Sequence, residues 1–162
     1  TMETYYQKVA MLRERLPDAT LSTDIIVGFP GETDEEFEMT IEAVQKIRFD
    51  LIYSFKYSPR PGTRAAGYSG HLSESVKSER LKVLLETQGK IVRKKFQDLV
   101  GTDQEVLIEG NHHRKANTVS GRTRGNHAVF IKNSTKNAGD LMSVLITKAN
   151  QNSLEAVPSP AI

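Results

Sequence analysis

The pattern of apolar residues changes at Gly101, and this change limits the fold more than any other feature of the sequence. Before Gly101, helical stripes alternate with two apolar runs at 21–27 and 51–57, as in a parallel α/β array. After it, short apolar runs are separated by Gly, Asn and Ser turns, which predicts strands. The sequence therefore predicts an α/β part followed by an all-β part, with a boundary near residues 99–102.

The run at 21–27 is largely apolar and rich in β-branched side chains, which is typical of a strand buried on both faces of a parallel sheet. Two such strands cannot complete a sheet of this kind, so the sequence predicts further strands upstream of Thr1. Helices are predicted at 3–16, 33–47 and 73–99. Thr33 and Glu36 fit a capping box at the start of the second helix.

Four short runs after Gly101 predict a small antiparallel β-barrel. They lie at 105–109, 118–122, 128–132 and 141–147. The residues from Asn150 onward end in VPSPAI, and they predict a loose C-terminal tail because little in them suggests packing.

Composition excludes several kinds of site. The 162 residues carry 22 Lys and Arg against 20 Asp and Glu, a formal net charge of +2, so the total charge indicates no class of partner. The sequence has no cysteine, which excludes a disulfide and an iron–sulfur or zinc–thiolate site built by this chain alone. No apolar run approaches the roughly 18–20 residues of a membrane span, and no signal-peptide pattern is found. We therefore expect a cytoplasmic protein with no membrane partner.

One stretch of the predicted barrel, from Gly110 to Gly139, contains no Asp or Glu. Its cations are Arg114, Lys115, Arg122, Arg124, Lys132 and Lys136. They predict a positive surface suited to the phosphate backbone of RNA, with Asn126 among the asparagines able to bond bases or 2′-hydroxyls. A solvated basic face is the alternative, and charge alone leaves it open.

The stretch STDIIVGFPGET, residues 22–33, is a candidate ligand site. Gly28 allows a ligand to approach the carboxyl end of the strand, where ligands bind in α/β folds, and Phe29 offers a flat apolar surface. The loop YSPRPGT, residues 57–63, comes after the second strand, at the same end of the sheet. Its Arg60 is available there to an anionic group of a ligand. The alternative for this stretch is a tight turn between strand and helix, which needs no ligand. For Asp24, a polar cavity and a structural hydrogen bond are equally good explanations.

Three long motifs follow one another along the chain: STDIIVGFPGET, FDLIYSFKYSPRPGTRAA at 49–66 and SGRTRGNHAVF at 120–130. In this combination the chain resembles the C-terminal half of the radical S-adenosylmethionine (SAM) methylthiotransferases, most closely the MiaB-type branch that acts on tRNA. The resemblance implies the last strands and helices of a partial (β/α) barrel at 1–99. It also implies a TRAM RNA-binding β-barrel at 100–154, which leaves residues 155–162 as the loose tail.

The same resemblance implies cofactors and site residues. Full-length members use SAM and two 4Fe–4S clusters, and this chain lacks the cysteines that would hold the clusters. Gly28 and Phe29 would lie near the adenosyl part of SAM, with Asp24 a polar group inside the barrel wall. The residues implied to contact RNA are Arg122, Arg124, Asn126, Arg114, Lys115 and Lys132.

The implied reaction adds a methylthio group to a prenylated adenosine next to the anticodon. Its partners would be the anticodon stem-loop of tRNA and the missing N-terminal part of the same polypeptide. Other branches of the family modify an aspartate of a ribosomal protein or threonylcarbamoyl-adenosine in tRNA. A stand-alone RNA-binding module is the alternative from another class. The basic stretch favours RNA over a basic protein as the substrate.

Overall fold

The computed structural model describes residues 1–112 and 117–159. The chain divides into two compact units, of which the first comprises Thr1–Pro17 with Leu21–Ile91. The second comprises Asp18–Thr20 with the chain from Val92 onward. Each unit has a hydrophobic core of its own.

The first unit is an α/β structure, as the sequence predicts. Its elements are α1 (Met2–Arg15), β1 (Ser22–Val27), α2 (Asp34–Ile47), β2 (Leu51–Lys56), a 3-10 turn (Arg64–Gly67) and the first part of α3 (Glu74–Leu99). The predicted capping box is confirmed, because the Thr33 side chain accepts from the Glu36 amide and the Glu36 side chain accepts from the Thr33 amide. This box sets where α2 begins.

The strands β1 and β2 pair in parallel, with Ser22 opposite Leu51 and Val27 opposite Lys56. One face of this pair packs on the helices, and Val27 and Leu84 are fully buried in that core. The opposite face is open, since Ile26 is 55% exposed and Phe55 is 52% exposed. The expected burial of both faces is therefore not found in these strands, because the helices cover only one of them.

The second unit is a closed β-barrel, as the sequence predicts. Its strands are β3 (Asp103–Asn111), β4 (Thr118–Thr123), β5 (Ala128–Lys132), β6 (Leu141–Ala149) and β7 (Leu154–Pro158). They close in the order β3-β4-β5-β7-β6. The expectation of an all-antiparallel barrel is wrong at one seam, since β5 and β7 run parallel.

The C-terminal strand β7 corrects the predicted loose tail at 155–162. Leu154 and Ala156 are fully buried in the barrel core, and β7 pairs with both β5 and β6. The strand is only five residues long, and its apolar side chains alternate too briefly to stand out from the polar turn before it. Residues 160–162 of the predicted tail lie outside the described residues.

The last turns of α3 pack on the barrel. Phe96 is buried in the barrel core, and Val92 and Leu99 lie against the same cluster. The second compact unit therefore begins inside the helix at Val92, ahead of the boundary expected near 99–102.

Gly89 in α3 provides a test of how this helix is stabilised. It is exposed, and a Cβ built on it meets no heavy atom within 4 Å in the described structure. We expect Gly89→Ala to raise the free energy of unfolding by about 0.5–1 kcal/mol, because alanine loses less backbone entropy on forming a helix. Urea unfolding followed by circular dichroism measures this change. A lower stability would show that the helix is distorted at this position.

Candidate functional site

The carboxyl ends of β1 and β2 meet at one edge of the sheet and carry both ligand-site motifs. The Tyr57 amide donates to the Val27 carbonyl oxygen at 2.8 Å, which holds the two strand exits together. Gly28 follows β1 directly with a φ of 73°, a conformation that disfavours residues with a Cβ. The chain then turns at Phe29, and the Glu32 amide donates to the Phe29 carbonyl oxygen at 2.9 Å.

A cavity of about 590 Å³ lies at this edge of the sheet. Ten residues line it, namely Asp24, Ile26, Phe29, Phe55, Lys56, Tyr57, Ser58, Arg60, Thr63 and Ala65. The structure thus brings together Asp24, Phe29 and Arg60, which the sequence analysis named separately. Gly28 does not line the cavity. Its backbone amide instead donates a hydrogen bond to Glu32 Oε2, which lies in the same turn.

Aromatic rings form one wall of this cavity. Phe29 packs edge-on against Tyr57 and Tyr68, with ring centroids 5.2 and 6.1 Å apart, and Tyr57 also lies 5.8 Å from His71. Tyr57 is only 8% exposed, and its hydroxyl has no hydrogen-bond partner within residues 1–112 and 117–159. A buried hydroxyl without a partner is costly, but this oxygen is shielded from solvent, so what the wall offers a ligand is an aromatic surface.

The sequence analysis did not single out Tyr57, which lines the cavity, or Tyr68 and His71, which pack against Phe29 and Tyr57. The signal for Tyr57 was present, because it opens the YSPRPGT loop immediately after a strand. Tyr68 and His71 follow that loop and belong to no motif with a recognised spacing. Only the fold brings them beside Phe29 and Tyr57.

The three predicted RNA-binding cations that the structure describes lie on the outside of the barrel, where each contacts a carboxylate of a neighbouring strand. Arg122 Nε lies 3.4 Å from Glu109 Oε1, Arg124 Nη2 lies 2.7 Å from Glu105 Oε1, and Lys132 Nζ lies 2.6 Å from Glu155 Oε2. The acid-free stretch of sequence is therefore not an acid-free surface. Strands β3 and β7 flank β4 and β5, and they carry these three glutamates.

These three cations differ in how available they are to RNA. The Arg124 side chain is 83% exposed, and the Lys132 side chain is 52% exposed. The partner of Lys132, Glu155, is largely buried. The Lys132 ammonium group holds the pKa of Glu155 below its ordinary value, so Glu155 stays ionised and the pair stays intact at neutral pH. Arg124 is consequently the most accessible of the three cations.

Asn126 occupies the turn between β4 and β5 in the left-handed conformation, with a φ of 62°. Its carbonyl oxygen accepts from Arg122 Nη1 at 3.1 Å, and its amide donates to the Thr123 carbonyl oxygen at 2.9 Å. Asparagine tolerates this conformation better than most residues, so the turn accounts for its presence without RNA. Arg114 and Lys115, also predicted to bind RNA, lie outside the described residues.

The chain shows neither a metal site nor a membrane segment in the parts that the structure describes. No group of three His, Asp or Glu side chains there could hold a metal ion. Because the sequence also has no cysteine, an iron–sulfur cluster does not fit the residues of this chain. None of the described helices is both long enough and apolar enough to cross a bilayer.

Comparison with known proteins gives a family match for the barrel and similar proteins for nearly the whole chain. Residues 97–158 match the TRAM domain family, which covers the five barrel strands. The chain is 47% identical over 155 residues to the tRNA-2-methylthio-N(6)-dimethylallyladenosine synthase of Thermodesulfovibrio yellowstonii, an alignment that covers 96% of this chain. The chain therefore matches the family of these synthases over nearly its whole length.

Other members of this family show similar agreement. The synthase of Moorella thermoacetica is 44% identical over 92% of the chain, and that of Aquifex aeolicus is 41% identical over 96%. The chain spans about a third of the length of these relatives, with 35%, 34% and 34% of the three proteins covered. It corresponds to their C-terminal part, which carries the TRAM domain.

Proposed function

We propose that this chain supplies the C-terminal part of a tRNA-modifying methylthiotransferase. The complete polypeptide would add a methylthio group to a prenylated adenosine next to the anticodon by radical-SAM chemistry in the cytoplasm. The observation that carries the proposal is 47% identity with a tRNA-2-methylthio-N(6)-dimethylallyladenosine synthase over 96% of the chain. The closed barrel at the TRAM match is consistent with it, since that domain suggests RNA binding.

The cavity at the sheet edge is the proposed contact with SAM. The chemistry of its walls fits this cofactor: Phe29 offers a face for an adenine ring, and Asp24 offers a carboxylate for a ribose or an amino group. Arg60 offers a cation for a carboxylate. SAM, when bound, would supply the radical and the methyl group. The residues of this chain would hold and orient it and exclude water.

The cysteines that hold two 4Fe–4S clusters would come from the missing N-terminal part of the polypeptide. Reading the encoding frame upstream of Thr1 tests this part of the proposal. We expect a C-x3-C-x2-C motif, with further cysteines before it. A start codon at Met2 without upstream cysteines would contradict the enzyme and would favour a stand-alone RNA-binding module.

The outer surface of the barrel is the proposed contact with the anticodon stem-loop. Arg122, Arg124 and Lys132 would bind phosphates, together with Arg114 and Lys115. Each described cation of this set would exchange a carboxylate for a phosphate on binding. The exchange keeps an ion pair, so the three glutamates reduce affinity for RNA without abolishing it.

The pair of Arg122 and Glu109 provides opposite predictions for RNA binding. We expect Arg122→Ala to weaken binding of an anticodon stem-loop and to flatten the slope of log affinity against log salt by about one. We expect Glu109→Gln to strengthen binding about two- to threefold, because it frees the guanidinium and removes a negative charge. Fluorescence anisotropy at several salt concentrations measures both changes.

The exposed lysine Lys8 of α1 provides a matched control, and Lys8→Ala should change the salt slope less than Arg122→Ala. Unchanged binding in Arg122→Ala, with the fold intact by circular dichroism, would remove Arg122 from the interface. An unstructured RNA of equal length should bind more weakly than the stem-loop. Equal affinity for both RNAs would contradict recognition of the stem-loop.

A further inference from the structure

Two cations on α3, Lys77 and Arg80, are each only 6% exposed, and neither belongs to the motifs singled out from the sequence. They lie one turn apart on the helix, on its side toward the sheet edge. Burying a cation is costly unless charged or polar partners compensate for the lost water. The partners of this cation pair are therefore informative.

Arg80 binds the turn that follows β1. Its Nη1 lies 2.6 Å from Glu32 Oε2 and 3.1 Å from the Glu32 carbonyl oxygen, and its Nη2 lies 2.6 Å from Asp34 Oδ1. Burial acts to lower the pKa of Arg80, but its bonds to Asp34 and Glu32 outweigh burial and raise that pKa above its ordinary value. Arg80 therefore stays charged and bound to this turn at every physiological pH.

The same Glu32 oxygen also accepts a hydrogen bond from the Gly28 amide, at 2.6 Å. One carboxylate oxygen thus joins the residue that leaves β1 to the guanidinium of α3. The side chain of Glu32 is only 13% exposed, so water replaces these bonds poorly. Phe29, which lines the cavity, lies between the two ends of this connection, since residues 28 and 32 enclose it in the chain.

Lys77 binds the exit of the second strand. Its Nζ donates to the Tyr57 carbonyl oxygen at 3.3 Å and pairs with Glu74. Its side chain also fills the space beside Gly28 where a Cβ would otherwise lie, with Cδ only 3.0 Å from that position. The cation pair thus contacts both loops that carry the aromatic wall of the cavity.

We propose that Arg80 is a positioning residue for the ligand cavity. Acting through Glu32, it fixes the turn at 28–32 so that Phe29 lies against the ligand. This inference rests on the proposed function, in which the cavity binds SAM. Asp34 shares the guanidinium but is 88% exposed, so it contributes little to the position of the turn.

The test measures the dissociation constant of SAM by isothermal titration calorimetry, with the complete polypeptide and its Arg80→Met, Glu32→Gln and Asp34→Asn variants. We expect Arg80→Met and Glu32→Gln each to weaken binding about tenfold, as for other residues that orient a ligand-contacting group. The double variant should be about as weak as either single variant, since both remove one connection. Asp34→Asn should stay within about twofold of the unaltered protein, and Arg80→Lys should be intermediate.

Amide hydrogen exchange provides a readout that does not depend on SAM. The Gly28 amide should exchange faster in Arg80→Met and in Glu32→Gln, and at the unaltered rate in Asp34→Asn. Arg93→Lys, at an exposed position of the same helix, is the matched control and should change neither measurement.

The outcomes separate the inference from the proposed function. If the unaltered polypeptide does not bind SAM, the assignment of the cavity is wrong, and the inference fails with it. If it binds SAM and Arg80→Met lowers the melting temperature without changing the dissociation constant, Arg80 is merely structural and only the inference fails. Additive losses in the double variant would likewise show that Arg80 does not act through Glu32.

Discussion

Gly121→Ala is expected to destabilise the β-barrel by about 3 kcal/mol. Gly121 is buried in β4, paired with Ile108 of β3 and Val129 of β5. A Cβ at this position would collide with the Leu107 carbonyl oxygen and would lie 2.6 Å from Val106 Cγ1. The obstacle is backbone of a paired strand together with a fully buried side chain, so neither can move aside without loosening the closed barrel.

Hydrogen exchange followed by mass spectrometry measures this effect in the strand that it concerns. The amides of β3 and β5 should lose most of their protection in Gly121→Ala, whereas the amides of α2 should keep theirs. Gly89→Ala is the matched control, because it adds the same methyl group at an exposed position. Full protection of β3 in the Gly121 variant would show that the strands approach less closely than the structure has them.

Gly28→Ala is expected to destabilise the first unit by about 2–3 kcal/mol. A left-handed φ of 73° costs alanine about 1 kcal/mol, and the new Cβ would collide with the side chain of Lys77. Lys77 is buried and bound to the Tyr57 carbonyl oxygen, so it cannot swing into solvent without losing that contact. The variant should therefore also weaken SAM binding through the displaced turn.

Gly31→Ala separates the two causes of this loss. Gly31 has a similar φ of 84°, but a Cβ built on it meets no described heavy atom within 4 Å. We expect Gly31→Ala to cost only the conformational strain of about 1 kcal/mol. Urea unfolding measured by circular dichroism compares the two variants. If both variants lost the same free energy of unfolding, the close approach of Lys77 to Gly28 would contribute nothing to the loss in Gly28→Ala.

Local patterns were sufficient to predict most of the elements. The apolar stripe of α2 and the pairing of Thr33 with Glu36 are short-range signals, and both were confirmed. The strands β3 to β6 were predicted by Gly and Asn turns between apolar runs. The strand β7 was missed because its stability comes from pairing with β5 and β6, which no local pattern records.

The candidate sites depended more on contacts between distant residues. Phe29 and Arg60 could be named because each follows a strand at its carboxyl end, and Asp24 because a carboxylate within a strand needs a polar surrounding or a hydrogen bond. The partners of the barrel cations could not be predicted, since the pairing of β3 with β4 and of β7 with β5 brings Glu105 and Glu155 to cations that are distant in sequence. The buried position of Arg80 was hidden for the same reason, because its carboxylate partners lie 46 to 48 residues away in sequence.

The most direct test of the proposed function is mass spectrometry of tRNA nucleosides from cells with and without the encoding gene. We predict that disrupting the gene removes the methylthio group from the prenylated adenosine next to the anticodon and leaves the prenyl group in place. The intact gene should restore the modification. The proposed substrate would be contradicted if the prenylated adenosine kept its methylthio group after disruption of the gene, while a methylthio group was lost from threonylcarbamoyl-adenosine or from a ribosomal-protein aspartate.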